Sequence, residues 1–293
     1  MDDKMLFYTQ NSLKFAFSKE LDELDLSDNS KKFGIIGVPF DSTSTYRTGS
    51  RSGPTAVREA SYNFERYNMV LDKNLDVNIF DFGNVEVIHG NFEKTSEKIE
   101  FTISELRQMN ITPVVIGGEH TVSYSVLKAL DVENTTFIHF DAHMDLRDEY
   151  MGERYSHAAA VRRIFDLNPE KIIQIGLRSC LENELLFARE NQITFFTSYE
   201  VNEDLEKVKK VLNNINGPVY VSLDIDVLDP AYAPNVSTPS PCGLDPFQLE
   251  SLIHSFKGKN VAGFDLVEVS STGFGDITSI NGSKAIYDFL SCQ

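Results

Sequence analysis

Asp141, His143 and Asp145 stand at i, i+2 and i+4, directly after the apolar run from Thr135 to Phe140. In extended chain this spacing puts three side chains on one face, and where a strand gives way to a loop it lets them converge on one point. Two carboxylates and an imidazole form a hard-to-borderline donor set that suits Mn²⁺ or another divalent first-row metal. Three more apolar runs end in similar residues. Val114-Val115-Ile116 leads into Gly117-Gly118-Glu119-His120, Val219 to Leu223 leads into Asp224-Ile225-Asp226, and Gly263 to Val267 leads into Glu268. His157 follows in the stretch Tyr155-Ser156-His157-Ala158. Its ordinary pKa, close to neutrality, suits a proton carrier.

Each stretch also has a plain structural reading. His120 can cap a helix from Thr121 to Leu130. Asp224 and Asp226 can shape the turn before Asp229-Pro230. Glu268 can be a buried acid paired with an arginine, and His157 can open a helix. Together these readings require five carboxylates and two histidines at one sheet edge for unrelated reasons. That many acids brought together call for a cation to balance them. Six ligand side chains, four of them anionic, exceed one tetrahedral site and suit two ions about 3.5–4 Å apart that share carboxylates. His139, inside its strand, reads as packing or as support for a ligand. His89 and His254 lack any such context and read as structural.

The elements that must position these residues alternate regularly. Apolar runs rich in Val, Ile and Phe recur at 33–38, 77–82, 112–117, 135–140, 171–177, 193–197, 218–224 and 261–266. Amphipathic stretches lie between most of them, including Phe92 to Met109, Leu181 to Asn191, Asp204 to Asn214 and Pro246 to Phe256. The pattern predicts an α/β fold with about eight mostly parallel strands covered by helices on both faces. In such sheets, sites form beyond the carboxyl ends of the strands, which is where the candidate ligands fall. No Pro/Gly/Ser-rich linker divides the chain, so 32–293 reads as a single domain and the acidic residues 1–31 as an N-terminal extension that packs on it or frays.

Composition excludes more than it identifies. The 293 residues are 41% hydrophobic and 24% charged, enough for a sizeable core. A net charge of −17 argues against a nucleic-acid partner. No apolar run approaches the roughly 18 residues of a membrane span, and Met1-Asp2-Asp3-Lys4 lacks the opening of a secretory signal. Cys180, Cys242 and Cys292 form neither a disulfide framework nor a CxxC clip. The expected location is the cytoplasm. Nucleotide-binding glycine motifs, H-E-x-x-H and G-x-S-x-G are all absent.

Gly117-Gly118-Glu119-His120, Asp141 to Asp145 and Ser222 to Pro230 resemble, in order, the three metal signatures of the ureohydrolases, the family of arginases, agmatinases and formimidoylglutamases. Gly37 to Asp41, Arg51 to Pro54, Val57-Arg58-Glu59, Ala231 to Pro234 and Thr238-Pro239 are similar to the agmatinase branch. The resemblance spans roughly residues 33 to 290. It implies a three-layer α/β/α arginase-like fold with two Mn²⁺ per chain. One ion would be held by His120, Asp141, Asp145 and Asp224, the other by Asp141, His143, Asp224 and Asp226, with Asp141 and Asp224 bridging. The catalytic set it implies is Asp145 together with Glu268, which matches a guanidinium-binding glutamate, and His157, which matches a proton-shuttling histidine. A solvent-derived hydroxide would attack the guanidinium carbon, releasing urea and an amine such as putrescine. The implied partners are a small cationic guanidino substrate and further copies of the chain, as a homotrimer or homohexamer.

The loop from Leu146 to Ser156 contains no Asn and carries three acids, Asp148, Glu149 and Glu153, so it is expected to repel an α-carboxylate and favour agmatine or a longer guanidino amine over arginine. Arg147 and Arg154 cut the other way if either points inward. Three positions depart from the family pattern: Ser270 to Phe274 after Glu268, Ala158 after His157, and Met144, which alternation is expected to turn away from the ligands. Two rivals stand outside active ureohydrolases. An inactive homologue should have lost ligands, yet all are present, and a deacetylase of related fold would hold one Zn²⁺ with a His-His pair, which this chain lacks.

Overall fold

Each of the eight apolar runs forms a strand, because β-branched and aromatic side chains buried on both faces suit a covered parallel sheet. The computed structural model describes residues 9–10, 13–271 and 273–293. Its sheet is built from β1 (Thr9–Gln10), β2 (Lys32–Val38), β3 (Asn78–Val85), β4 (Ile111–Gly117), β5 (Thr136–Phe140), β6 (Lys171–Leu177), β7 (Thr194–Thr197), β8 (Val219–Asp224) and β9 (Val261–Val267). The helices are α1 (Gly53–Ser61), α2 (Phe92–Gln108), α3 (Val122–Lys128), α4 (Ala160–Phe165), α5 (Glu182–Glu190), α6 (Ser198–Glu203), α7 (Leu205–Asn213), α8 (Pro246–Ile253) and α9 (Ile277–Ser291). Strand order is β1-β3-β2-β4-β9-β8-β5-β6-β7. All neighbours are parallel except β1, which pairs antiparallel with β3 and adds a ninth strand to the eight expected.

Alternation within the strands sorts the core into two layers. Ile35, Ile138, Val221 and Phe264 pack with Val57, Leu212, Leu252 and Ile286 from α1, α7, α8 and α9. Ile36, Val115, Phe137 and Tyr220 pack on the other face with Ile103, Val126, Val161 and Ala188 from α2, α3, α4 and α5. The result is the three-layer arrangement anticipated. Of the expected extension, residues 1–8, 11 and 12 lie outside the described residues. Farther along it, the Phe15 and Ala16 amides donate to Asp81 and Ser61, both at 2.7 Å. Asp81 is also clamped by Arg58 at 2.7 and 2.8 Å, with both side chains fully buried. Such a pair is costly to break from one side, so Arg58 belongs to the scaffold.

The central register positions the site. Ile116, Leu266, Leu223 and Phe140 lie side by side across β4, β9, β8 and β5. The four strand ends that carry candidate ligands are therefore adjacent, although β4 and β5 are separated by two strands made from the last third of the chain. One row back, Val115, Asp265, Ser222 and His139 align, placing three buried polar groups directly beneath the site.

Candidate metal centre

His120 is presented by a tight turn after β4. A Cβ on Gly118 would stand 1.9 Å from the Phe40 carbonyl oxygen, so only glycine lets the chain pass there. His120 is not a helix cap: Thr121 holds that position before α3 and makes no side-chain capping bond. The His120 Nδ1 instead faces three carboxylates, Asp141 at 3.1 Å, Asp145 at 3.3 Å and Asp224 at 3.4 Å. Beside it, the His143 Nδ1 lies 3.3 Å from Asp141 and 3.0 Å from Asp226. Two groups of ligand atoms result, each within 4.8 Å of one another and sharing Asp141: one with His120, Asp145 and His139, the other with His143 and Asp226. All six predicted ligands are brought together.

The buried polar row holds these groups in place. His120 Nε2 is 3.0 Å from the Ser222 hydroxyl, which donates to Asp265 at 2.6 Å, and Tyr220 donates to the other Asp265 oxygen at 2.5 Å. A proton on Nε2 leaves the Nδ1 lone pair aimed at the carboxylates. On the far side, His139 Nε2 stands 2.9 Å from Asp141, and its Nδ1 receives the Gln174 amide at 2.9 Å. His139 thus supports a ligand, as its place inside the strand suggested. Arg178 pins the 226–229 turn by donating to the carbonyls of Asp226, Val227 and Leu228. Asp145 (φ 52°) and Glu268 (φ 63°) both take the left-handed conformation, backbone strain of the kind that collects at functional sites.

These residues fit divalent cations. His120 Nδ1 is buried without a hydrogen-bond partner, which is costly unless another group meets it. Burial, then the Asp141 charge, pushes the Asp145 carboxyl well up, and burial, then Asp226, does the same to Asp224. Burial opposes protonation of His143, yet Asp226 and Asp141 outweigh it and push the imidazole up to about 12. The acids and the imidazoles are competing for protons that divalent ions would replace. A further acid and histidine group among the described residues, Glu250, His254 and Asp288, differs in kind. There Lys284 already bonds Glu250 at 3.0 Å and also bonds Asp288.

Four of the candidate ligands, His120, His143, Asp145 and Asp224, line a cavity of about 240 Å³ together with Glu268 and His157. Glu268 is not paired with an arginine. One oxygen accepts the His120 amide at 2.8 Å and the other has no partner. Burial raises its pKa to about 7. Burial, then the nearby His143, lowers His157 to about 4. The 146–156 loop differs from expectation in one respect that matters for the substrate. Its acids do not line the cavity: Asp148 turns outward to Arg163 at 2.8 Å, whereas Arg147 and Tyr150 face inward. The repulsion argument against a carboxylate therefore fails, because this loop has turned its acids toward the surface. Met144 also touches the cavity while buried in the core, since regular alternation stops at Phe140. The altered stretch after Glu268 serves α9, whose capping Asp276 accepts Ser271, Ser279 and Asn235 side chains. Thr272 is outside the described residues.

Sequence reasoning missed Ser222, Asp265, Gln174 and Arg178, together with Thr43, whose hydroxyl lies 3.1 Å from His157 Nδ1, and Glu184, which lines the cavity and accepts the Leu146 amide at 3.0 Å. Only Asp265 had a signal: an acid inside an apolar strand is rarely left unemployed.

The model of the Arginase family matches residues 31–292. The agmatinase of Pyrococcus horikoshii is 37% identical over 97% of each chain. The N(1)-aminopropylagmatine ureohydrolase of Thermococcus kodakarensis is 34% identical over 96% of this chain and 95% of its own. Among solved structures, the agmatine ureohydrolase of Thermoplasma volcanium superposes with a TM-score of 0.86 at 31% identity, covering 97% of this chain and 94% of that one. No described helix is long and apolar enough to cross a membrane. With ligand-bearing strand ends in one register and near full-length likeness on both sequence and fold, the chain belongs to the arginase family of ureohydrolases.

Proposed function

We propose that the protein hydrolyses agmatine, or a longer guanidino amine built on it, to urea and an amine such as putrescine, with two Mn²⁺ per chain. The observation that carries this reading is the convergence of His120, Asp141, His143, Asp145, Asp224 and Asp226 beside an unpartnered Glu268 oxygen. The amine class rests on the agmatine-directed relatives. Bound by these six side chains, the two ions would supply the Lewis acidity that yields a hydroxide nucleophile near neutral pH. The chain's own residues do the rest. Glu268 receives the guanidinium through charge-assisted hydrogen bonds and fixes its plane against the candidate ligands. Its position at the end of β9, tied back to the His120 amide, holds substrate and ligand set in one frame. His157, which also lines the cavity, takes up a proton from solvent and passes it to the departing amine. By family likeness, the working form is a cytoplasmic homotrimer or homohexamer, which light scattering of the purified protein would check.

One contact favours a second reading. Arg147 faces the cavity, stacked 4.5 Å from the Tyr150 ring and 3.8 Å from the Glu184 carboxylate, and would bind a carboxylate tail such as that of arginine by exchanging that partner. The deciding test is urea release from Mn²⁺-loaded protein offered agmatine, aminopropylagmatine and arginine side by side. Higher kcat/KM for either amine supports the proposal, and a preference for arginine transfers it to the second reading. No urea from any of the three, with metal bound, would mark an inactive homologue or another guanidino substrate.

A further inference from the structure

A guanidinium only donates hydrogen bonds and a carbonyl oxygen only accepts them, so a contact between the two has one direction at any working pH. Arg178, the residue after β6, bonds in this way alone. Its Nε donates to the Ser240 carbonyl at 3.1 Å, and Nη1 to those of Gly176 at 3.0 Å and Val227 at 3.2 Å. Nη2 donates to the carbonyls of Asp226 at 2.6 Å, Ser240 at 2.9 Å and Leu228 at 3.2 Å. Gly243 leaves room for the fork, since a Cβ there would stand 2.7 Å from Nη2.

The backbone beside this side chain holds the facing ligand segment. The Arg178 and Ser179 amides donate to the Ala142 carbonyl at 2.9 and 3.0 Å, between Asp141 and His143. The Ala142 amide donates to Asp226 Oδ1 at 3.0 Å, and Asp226 Oδ2 faces His143 Nδ1 at 3.0 Å. Main chain and side chain of one residue thus brace both segments of the Asp141, His143 and Asp226 group. The other group has different supports. His120 is set by the Gly118 turn and the Ser222 hydroxyl, and the Asp145 carbonyl accepts the Arg162 amide at 3.0 Å. Asp141, common to both, has His139 as a separate support at 2.9 Å. We propose that Arg178 is a positioning residue for the His143–Asp226 half of the centre, and so sets the affinity for one of the two ions and not the other. The inference rests on the two-ion reading above. The fork matters here, beyond its charge: an ammonium carries its donors on one nitrogen and cannot reach Gly176, the 226–228 turn and Ser240 together.

The experiment is calorimetric Mn²⁺ titration of the full chain, with paramagnetic resonance spectra recorded as each site fills. Wild type should take two ions and finish with the spectrum of an exchange-coupled pair. Arg178→Lys should weaken one step about 10–100-fold, as for outer partners of metal ligands, and leave the other within about threefold. At concentrations that fill both wild-type sites, it should show the spectrum of isolated ions. Asp226→Asn should remove the same step, and adding Arg178→Lys to it should leave the remaining step unchanged. In the metal-free variant, hydrogen exchange should quicken at the Asp229 and Leu244 amides, which bond across the turn at 2.9 and 3.0 Å, and stay unchanged in β4. If Arg178→Lys does not fold, Arg178→Gln, which keeps a planar amide donor, takes its place in each measurement. Both steps unchanged in the variant overturns the inference. So does an equal loss at both steps, which a general loosening of the fold would give. A wild type that binds a single ion would instead overturn the two-ion reading, and the inference with it.

Discussion

Ser222→Ala tests whether the buried row beneath the centre sets its metal affinity. The serine hydroxyl joins His120 Nε2, 3.0 Å away, to Asp265 at 2.6 Å. Its loss leaves Asp265 with Tyr220 at 2.5 Å, so the imidazole loses the partner that keeps its proton on Nε2. A buried polar group deprived of its partner costs about 1–3 kcal/mol. The lower end is expected for the metal-free chain, because Ser123, with its hydroxyl 3.3 Å from that of Ser222, can move toward the gap. The effect on metal is larger, since removing the outer partner of a ligating histidine typically costs about 10–100-fold in affinity. Isothermal titration with Mn²⁺ should show that loss in the step that engages His120, with the step engaging His143 and Asp226 little changed. Thermal unfolding without metal supplies the separate stability term. If both binding steps stay within twofold of wild type while the chain remains folded, Ser222 does not control the His120 lone pair, and the case for the buried row as a tuning layer is lost.

Gly118→Ala should abolish metal binding or prevent folding, because the added Cβ meets the Phe40 backbone at 1.9 Å, and Mn²⁺ titration with circular dichroism separates the two outcomes. Glu268→Gln should lower kcat/KM for the guanidino substrate by about 30-fold or more, from the roughly 2–5 kcal/mol lost when one partner of a buried charged pair is removed; an unchanged value would remove Glu268 from substrate binding. Without metal, stability should fall as pH rises from 6.5 to 8. Burial raises Glu119 to about 8 and Glu268 to about 7, while acidic neighbours raise His143 to about 12, so in this window the folded state binds more protons than the unfolded one. Melting curves at several pH values, with and without Mn²⁺, should show that slope and its reduction by metal. Cys180 lines the cavity beside Leu181 and Glu184; alkylation should block urea release, substrate should protect, and Cys180→Ser should be resistant.

The order of strands and helices was legible from the sequence, because hydrophobic periodicity is a local property and every predicted strand kept its place within a few residues. The six candidate ligands were legible for a similar reason: carboxylates and histidines clustered at the ends of apolar runs have few other uses. Tertiary structure decided what depends on lateral order. Nothing local states that β9 and β8 insert between β4 and β5, yet that order alone makes the four strand ends adjacent and aligns His139, Ser222 and Asp265 in one layer. The direction of side chains in irregular segments was equally out of reach. Asp148 and Arg147 are neighbours in a loop, and only the presence of Arg163 on α4 and of the Tyr150 ring turns one outward and the other into the cavity. Thr43 and Glu119 lie far apart in the chain and meet only because the turn after β2 crosses the turn after β4. Residue types thus determined which chemistry the protein holds, since ligand identity is carried by the side chain itself. Which groups position that chemistry was decided by packing, since a hydrogen-bond partner is a neighbour in space and the sequence does not record distance.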